Sequence, residues 1–569
     1  MKDHMSQVSK RLLMGVLALT VALGCAGVTA AERPPNVGTT VREIEQQRPA
    51  VPPKAKPSLQ VEPPSRPALD AAGDATFRVN SVRISGATLF SDLELLPLVA
   101  ELAGREVGLA DLEAAAGRIT QFYRNHGYPV ARAYVPAQTI EGRGVEIAVL
   151  EGRYGTLDVR NDSRLSDALV HDTLRVPSTD NVIESKPLDR DLLLLKDLAG
   201  VAIAATLTPG ERVGTSNLLV DVTSASTFSG SLEADNFGNE YTGEWRFGGS
   251  VAAANLAGRG DLLSLRALSS QDTGLWYGRA AYQIPVSGSG LRVGGALSHT
   301  YYALGERFEA LDADGEADIY TLFTQYPVIR SLRGNLDVQA AFNYFDLDDQ
   351  IGATNTDNPR RLSSYSLSVS GDLQDDLLGG AVNALSVAIN TGNLQIDDAT
   401  AALIDAATAR TEGNFGTAIY SMLRLQKITD ALQLYVAIQG QHASKNLDPS
   451  QKFVLGGPNA VRAYAQGDGV GDEGVLGTAE MRYSLPSRGW VDRAQVFVFW
   501  DGGRLRVNED RYLAAQNDLD LYAAGIGVNL DGFDGFTLRG SIAWRVGSEP
   551  AIDSTSSSSR GWIQIVKSF

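Results

Sequence analysis

Cysteine is almost absent: the chain holds one, Cys25, in 569 residues. No disulfide framework supports this fold, and none can trap it on its way through an oxidising compartment. Histidine is scarce too. His4, His126, His171, His299 and His442 are scattered, at spacings that match no metal site. Neither a G-x-S-x-G elbow nor an H-E-x-x-H helix occurs. The run Gly467-Asp468-Gly469-Val470-Gly471 lacks the lysine and Ser/Thr of a phosphate loop. Asp312-Ala313-Asp314-Gly315 lacks the remaining calcium ligands and reads as an acidic turn. Carboxylate pairs such as Asp348-Asp349 read as solvated loop residues. No catalytic residue, metal or cofactor is expected, and the chain is not expected to be an enzyme.

Positive charge is in deficit. Lys and Arg number 50 against 67 Asp and Glu, a formal charge of −17. That excludes nucleic acid as a partner, which demands a cationic surface. It also excludes attraction by charge to anionic membrane surfaces. Long apolar runs are missing beyond the N-terminus, so no helix spans a membrane in the mature chain. Two classes remain: a soluble protein, or a β-barrel, whose spanning signal is alternation.

The single apolar run belongs to residues 1–30, which read as a secretory signal. Lys2, Lys10 and Arg11 form its positive end, Leu12–Leu23 its apolar core, and Val28-Thr29-Ala30 its cleavage site. Ala22 stands where a lipoprotein box prefers leucine, so Cys25 is expected to leave with the signal. Residues 31–76 change texture. Val41 and Ile44 among polar neighbours predict a short amphipathic helix, and the prolines between Pro49 and Pro67 predict an extended linker.

Residues 77–152 and 153–223 read as two small α/β modules. Phe77–Ile84 alternates as a strand, and Leu112, Ala115, Ile119 and Phe122 recur at helical spacing. In the second module, Leu165–Leu174 and Leu188–Leu198 are its helices. This pattern alone fits any small α/β pair. An unpaired edge strand on either module would offer backbone donors and acceptors to an extended chain.

From residue 224 to 569 the texture is all-β. Apolar residues occupy every second place in Leu336-Asp337-Val338-Gln339-Ala340 and in Leu432–Ile438, with Gly, Asn and Asp between the runs. About sixteen such strands fit the even count of a closed bacterial barrel. They include 317–328, 333–346, 379–393, 475–485 and 493–502. Strands near ten residues are long for a sandwich. Connections alternate between tight, as at Gly258-Arg259-Gly260, and long, as at 346–361 and 394–413.

One connection stands apart. The stretch from Gly456 is glycine-rich and acidic, with Arg462 between Val461 and Tyr464. Val461, Tyr464 and Val475 are too apolar for a solvated linker. The stretch 456–475 therefore reads as a loop folded into a cavity, carrying a buried arginine. A buried arginine must be paired. The best candidate partner is Asp501, at the end of the strand-like Val496–Trp500.

Val461-Arg462-Ala463-Tyr464, followed about forty residues on by Phe499-Trp500-Asp501-Gly502-Gly503, resembles the signature pair of the haemolysin secretion/activation family. The usual motif there has glycine where Ala463 stands, which questions any role needing a positive φ at that position. Asn125–Gln138 and Val149–Gly155 resemble the family's first polypeptide-transport-associated (POTRA) domain, and Asp235–Arg266 its first barrel hairpin. The chain ends on Phe569, which resembles the assembly signal of outer-membrane barrels; Lys567 breaks the alternation there and is expected on the lumen side.

The resemblance implies a transmembrane antiparallel β-barrel of about sixteen strands preceded by two periplasmic POTRA domains. It implies that Arg462 reaches Asp501 on the inner wall and anchors the loop, and that residues 34–48 plug the pore. The implied function is two-partner (type V) secretion. An unfolded exoprotein docks in the periplasm and threads the barrel without ATP. Outer-membrane lipid and the barrel-assembly machinery are the other expected partners, and a monomer is expected. A barrel-assembly insertase shares the loop motif and remains an alternative, as does a plain porin.

Overall fold

The computed structural model describes residues 34–53, 59–62, 76–139, 143–175, 180–272, 274–487, 489, 491–514, 516–532, 534–547 and 557–569. The expected signal, 1–30, lies outside the described residues. No described helix is long and apolar enough to cross a membrane. The crossing element is a sheet. Sixteen antiparallel strands, from Phe228–Asp235 to Ser559–Ser568, close into a barrel. The first and last strands make the closure, with Ser231 to Asp235 paired against Ser568 to Gln564. Closure leaves no open edge, so every ladder group is satisfied within lipid.

Side-chain alternation follows from the two solvents on either side of the wall. In the thirteenth strand, Val491–Arg506, the residues Val496, Val498 and Trp500 are exposed on the outside. Phe497, Phe499 and Asp501 are buried on the inside. The ninth strand, Ala381–Ile396, likewise turns Leu385, Val387 and Ile389 outward.

Three differences from the sequence reading have physical causes. Strands six and seven run Ala313–Arg330 and Gly334–Ile351, longer than their apolar alternation predicts. Their added ends pair Asp314 with Gln350 and Glu316 with Asp348. Ladder bonds hold these ends beyond the lipid zone, where apolar side chains are not required. Asp348 and Asp349 are accordingly strand residues, and Asp349 is not solvated: it pairs with Arg360 and accepts the Tyr302 hydroxyl at 2.7 Å. Lys567 faces outward, not into the lumen. It pairs in register with Leu232, which is outward, and its ammonium reaches Asp534 Oδ2 at 2.9 Å. The long apolar stem lies on the outer wall while the charge snorkels to the rim.

Before the barrel stand two compact α/β bodies. In the first, Ser81–Ser85, Gly144–Leu150 and Arg132–Tyr134 form a sheet under the helix Leu109–Asn125. Asp111 caps that helix, accepting from Gly108 N at 2.9 Å. In the second, Val201–Pro209, Thr215–Ser224 and Arg153–Asp162 form the sheet, with helices Asp167–Thr173 and Ser185–Lys196. This body is tied to the barrel turns. Arg330 grips Asp197 with Nε at 2.6 Å and Nη2 at 2.7 Å, and Ser166 N donates to Gly258 O at 2.9 Å.

Candidate functional site

The connection between strand eleven, Leu432–Ala443, and strand twelve, Glu473–Leu485, folds back into the barrel. The loop closes at Asp472, so Val475, read as part of it, is a strand residue facing outward. The two legs of the loop zip together, Phe453–Val454 against Val470–Gly471. Asp472 is fully buried at the base and accepts from Leu447 N, Glu509 N and Lys452 Nζ. Across the tip, Gly456 N donates to Asp468 O at 2.7 Å and Val461 N to Leu455 O at 2.9 Å. Glycine is required at Gly457, where φ is +123°.

This frame presents Arg462 to the inner wall. Its Nε lies 2.7 Å from Asp501 Oδ2 and its Nη2 2.8 Å from Asp501 Oδ1, a two-pronged pair. The backbone N–H of Arg462 also donates to Asp501 Oδ2, at 3.3 Å. Thr478, the cross-strand neighbour of Asp501, donates its hydroxyl to Oδ1 at 3.0 Å. Glu480, two residues along the same face of strand twelve, meets Arg462 Nη1 at 2.8 Å. The guanidinium lies 3.2 Å from the centre of the Phe499 ring. Only 2% of the Arg462 side chain is exposed, and none of Asp501.

The neighbouring motif residues complete the seat. Val461 and Tyr464 are buried in an apolar cluster with Leu455, Leu476, Phe497 and Phe499. Trp562 Nε1 donates to Arg462 O at 2.7 Å, and the Arg545 guanidinium stacks 4.7 Å from the Tyr464 ring centre. Ala463 does not have a positive φ. Its carbonyl accepts from Arg545 Nε at 3.3 Å. Phe569 lies apart from this site, on the outside of the seam, where it exchanges two 3.0 Å backbone hydrogen bonds with Gly230.

A helix fills the space beside the loop. Helix α1, Val37–Glu45, is capped by the Asn36 side chain accepting from Thr39 N at 3.0 Å. Its apolar stripe of Val37, Val41 and Ile44 packs on inward residues of the wall, among them Leu268, Tyr277, Ile319 and Leu347. At its N-terminus, Val37 N donates to Asp349 Oδ1 at 2.8 Å. Its other side grips the loop. Arg42 Nε donates to Lys452 O at 3.0 Å and Gln46 Nε2 to Val454 O at 2.9 Å. Just beyond, Arg48 meets Glu480 at 3.0 Å and Pro458 O at 2.7 Å. Glu480 is thus shared by Arg462, Arg48 and Arg482. Below lies a lumen cavity of about 690 Å³ lined by charges of both signs, including Arg246, Arg266, Glu233 and Asp531.

The sequence pairing of Arg462 with Asp501 named two members of a larger cluster. Glu480, Arg482, Thr478 and Arg48 were missed. The signal for three of them is parity. Thr478, Glu480 and Arg482 occupy alternate positions of one strand, the inward ones, while Met481 and Tyr483 face out. Arg48 has no such signal, since its partner lies more than four hundred residues away. Among the described residues, no group of His, Cys, Asp and Glu is arranged to hold a metal.

Comparison with known proteins agrees with this architecture. Residues 214–530 match the model of the haemolysin secretion/activation protein family ShlB/FhaC/HecB, and residues 77–152 match the ShlB-type POTRA domain. The heme/hemopexin transporter protein HuxB of Haemophilus influenzae (strain 86-028NP) is 28% identical over 565 residues, covering 97% of this chain and 99% of that protein. The outer membrane transporter CdiB of Dickeya dadantii (strain 3937) is 22% identical, covering 90% and 91%. Among solved structures, CdiB from Escherichia coli superposes with a TM-score of 0.66 at 18% identity, covering 89% of this chain and 93% of that one. BamA from Haemophilus ducreyi lacking POTRA domains 1–3 superposes with a TM-score of 0.52 at 13% identity, covering 87% and 100%. These two likenesses show the shared fold. The chain belongs to the haemolysin secretion/activation family, outer-membrane β-barrel transporters of two-partner secretion, with POTRA domains in the periplasm.

Proposed function

We propose that this protein binds one large, unfolded exoprotein in the periplasm and passes it outward through its barrel without ATP. The observation that carries the reading is the content of the lumen. It is filled by two parts of the chain itself, α1 and the Arg462 loop, rather than by side chains of the wall. Both are held by side-chain packing and polar contacts, outside the hydrogen-bonded ladder that closes the barrel. Residues 34–48 act as the plug, and the Arg462–Asp501 pair fixes the loop against the wall while the plug leaves. The sequence contains no phosphate loop. Folding of the client outside supplies the direction.

The test compares cells with and without this protein, by mass spectrometry of the medium and the outer membrane. Loss of one large secreted protein, with the barrel population unchanged, is the expected result. Depletion of many barrels instead would identify an insertase and overturn the reading.

A further inference from the structure

The eighth strand, Arg360–Asp375, and the ninth, Ala381–Ile396, are joined by the short turn 376–380. It lies on the periplasmic rim, where the second module reaches Gly258 O through Ser166 N and Pro327 O through Arg190. Its apolar residues Leu377 and Leu378 are 63% and 79% exposed. Leu378 is also held in the left-handed region, at φ +52° and ψ +35°, ahead of Gly379 and Gly380, both with positive φ. A leucine rarely adopts this conformation, because its Cβ crowds the following carbonyl. Such strain persists only where the surroundings over-determine it.

The surroundings do so here. Gln426 Nε2 lies 3.2 Å from Leu377 O, 3.1 Å from Leu378 O and 3.0 Å from Gly380 O. Asp375 Oδ1 accepts from Leu377 N at 3.0 Å. Arg424 Nη1 donates to Asp375 Oδ2 and to Asn383 Oδ1, each at 2.7 Å. These four holding residues all belong to the outward set. Gln426 and Arg424 share the parity of exposed Met422 in the tenth strand, Gly413–Lys427. Asn383 shares that of Leu385, and Asp375 that of Leu373. The turn therefore curls onto the outer face of the wall and not over the lumen. Next to it the outward band is apolar and exposed: Leu367, Val369 and Leu373 on the eighth strand, Leu385, Val387 and Ile389 on the ninth. The polar residues that hold the turn stand at the end of this band, where headgroups replace acyl chains.

We infer that Leu377 and Leu378 form a lipid anchor, inserted by this turn into the headgroup–acyl boundary of the periplasmic leaflet. The occupant is phospholipid, because the turn is bent outward and is continuous with a wall that already faces lipid. Two adjacent bare leucines are a liability in water and are stabilised at that boundary. The anchor also braces the neighbouring turn. Gln374 N donates to Arg333 O at 2.7 Å, and the Arg333 guanidinium pairs with Asp376. Three residues before Arg333, Arg330 grips Asp197 of the second module. The turn from Arg330 to Arg333 is held on one side by the module and on the other by the anchor. The bilayer thus fixes the rim at a point where the module is tied.

The test uses the scarcity of cysteine. Cys25 lies within the expected signal, so a thiol introduced into the mature chain has no competitor. Leu377→Cys and Leu378→Cys variants, each carrying a nitroxide, are placed as full mature chains in vesicles of phosphatidylethanolamine and phosphatidylglycerol. Collision of the label with oxygen is expected to exceed collision with a water-soluble nickel chelate several-fold at both positions. An Asp430→Cys label, on the next periplasmic turn where the Asp430 side chain is 98% exposed, is the aqueous reference and should show the reverse. Dominance of the nickel chelate at position 377 or 378 overturns the inference. Labels open to nickel in vesicles but shielded in native outer membranes mean that another protein covers the turn, which also overturns it. A second variant, Leu377→Asn with Leu378→Asn, removes the apolar surface while keeping a residue type that tolerates the left-handed backbone. Amide exchange in residues 331–334 is expected to rise several-fold in vesicles. Unchanged exchange means that the anchor does not brace the rim, and overturns that coupling.

Discussion

Replacing Arg462 by alanine tests the loop anchor most directly. The substitution removes three charged contacts at once, but its consequences for the two carboxylates differ. Glu480 keeps Arg48 and Arg482. Asp501, fully buried, keeps the Thr478 hydroxyl and the backbone N–H of residue 462 but loses its countercharge. The cost is therefore that of one orphaned buried carboxylate, about 3–5 kcal/mol. That shifts the balance between seated and released loop by about 10²-fold to about 4 × 10³-fold. In an Arg462→Ala, Asp501→Ala double variant the orphan is gone, and part of the loss should be recovered. Arg462→Lys keeps the charge but not the two-pronged geometry, and should fall between. The assay is client in the medium, measured together with proteinase K cleavage of whole cells within residues 455–469. Arg462→Ala is expected to expose these sites and cut export at least tenfold. A protected loop with wild-type export would refute the reasoning.

Three further outcomes follow from single residues. Burial raises the Glu43 carboxyl on α1 to about 8 against nearby Arg246, with Asp468 adding to the rise. A carboxyl raised in the seated state loses stability as pH rises from its ordinary pKa, about 4.5, to its raised one, about 8, so channel current should climb across that range and level off above it; a Glu43→Gln variant showing the same climb would exclude Glu43 as the cause. Ala463→Gly adds freedom to the released loop where no positive φ is needed, costing about 0.4–1 kcal/mol; export should stay within twofold of wild type, and a clear gain would show that a glycine conformation is used. In the first module, burial pushes Glu151 up, but hydrogen bonds from the Thr88 hydroxyl and amide, Leu89 N and Tyr123 outweigh it and bring its pKa below the usual range. Its stabilisation is present above the ordinary carboxylate range and lost as pH falls; Glu151→Gln should cost about 1–3 kcal/mol and speed amide exchange in Ser81–Ser85, and unchanged exchange would contradict this.

Alternation made the barrel legible, because lipid outside and polar contents inside impose a period of two on every crossing strand. The same rule misled wherever a strand left the lipid. It shortened strands six and seven, and it sent Lys567 to the wrong face, since a snorkelling lysine satisfies an outward position that alternation reserves for apolar residues. Arg462 and Asp501 were legible as a pair because a cation in an apolar loop cannot stay unpaired.

What the sequence determined by itself was thus the class of wall, the modules before it and one buried cation. Tertiary structure alone decided the rest. Glu480 became the shared partner of three arginines only when strand twelve, the loop and the segment after α1 met in the lumen. Asp349 became a cap for α1, and three residues of a proline-rich linker became a strand. Each depends on contacts across more than a hundred residues, where local periodicity carries no information and only the folded module or the closed barrel brings the partners within reach.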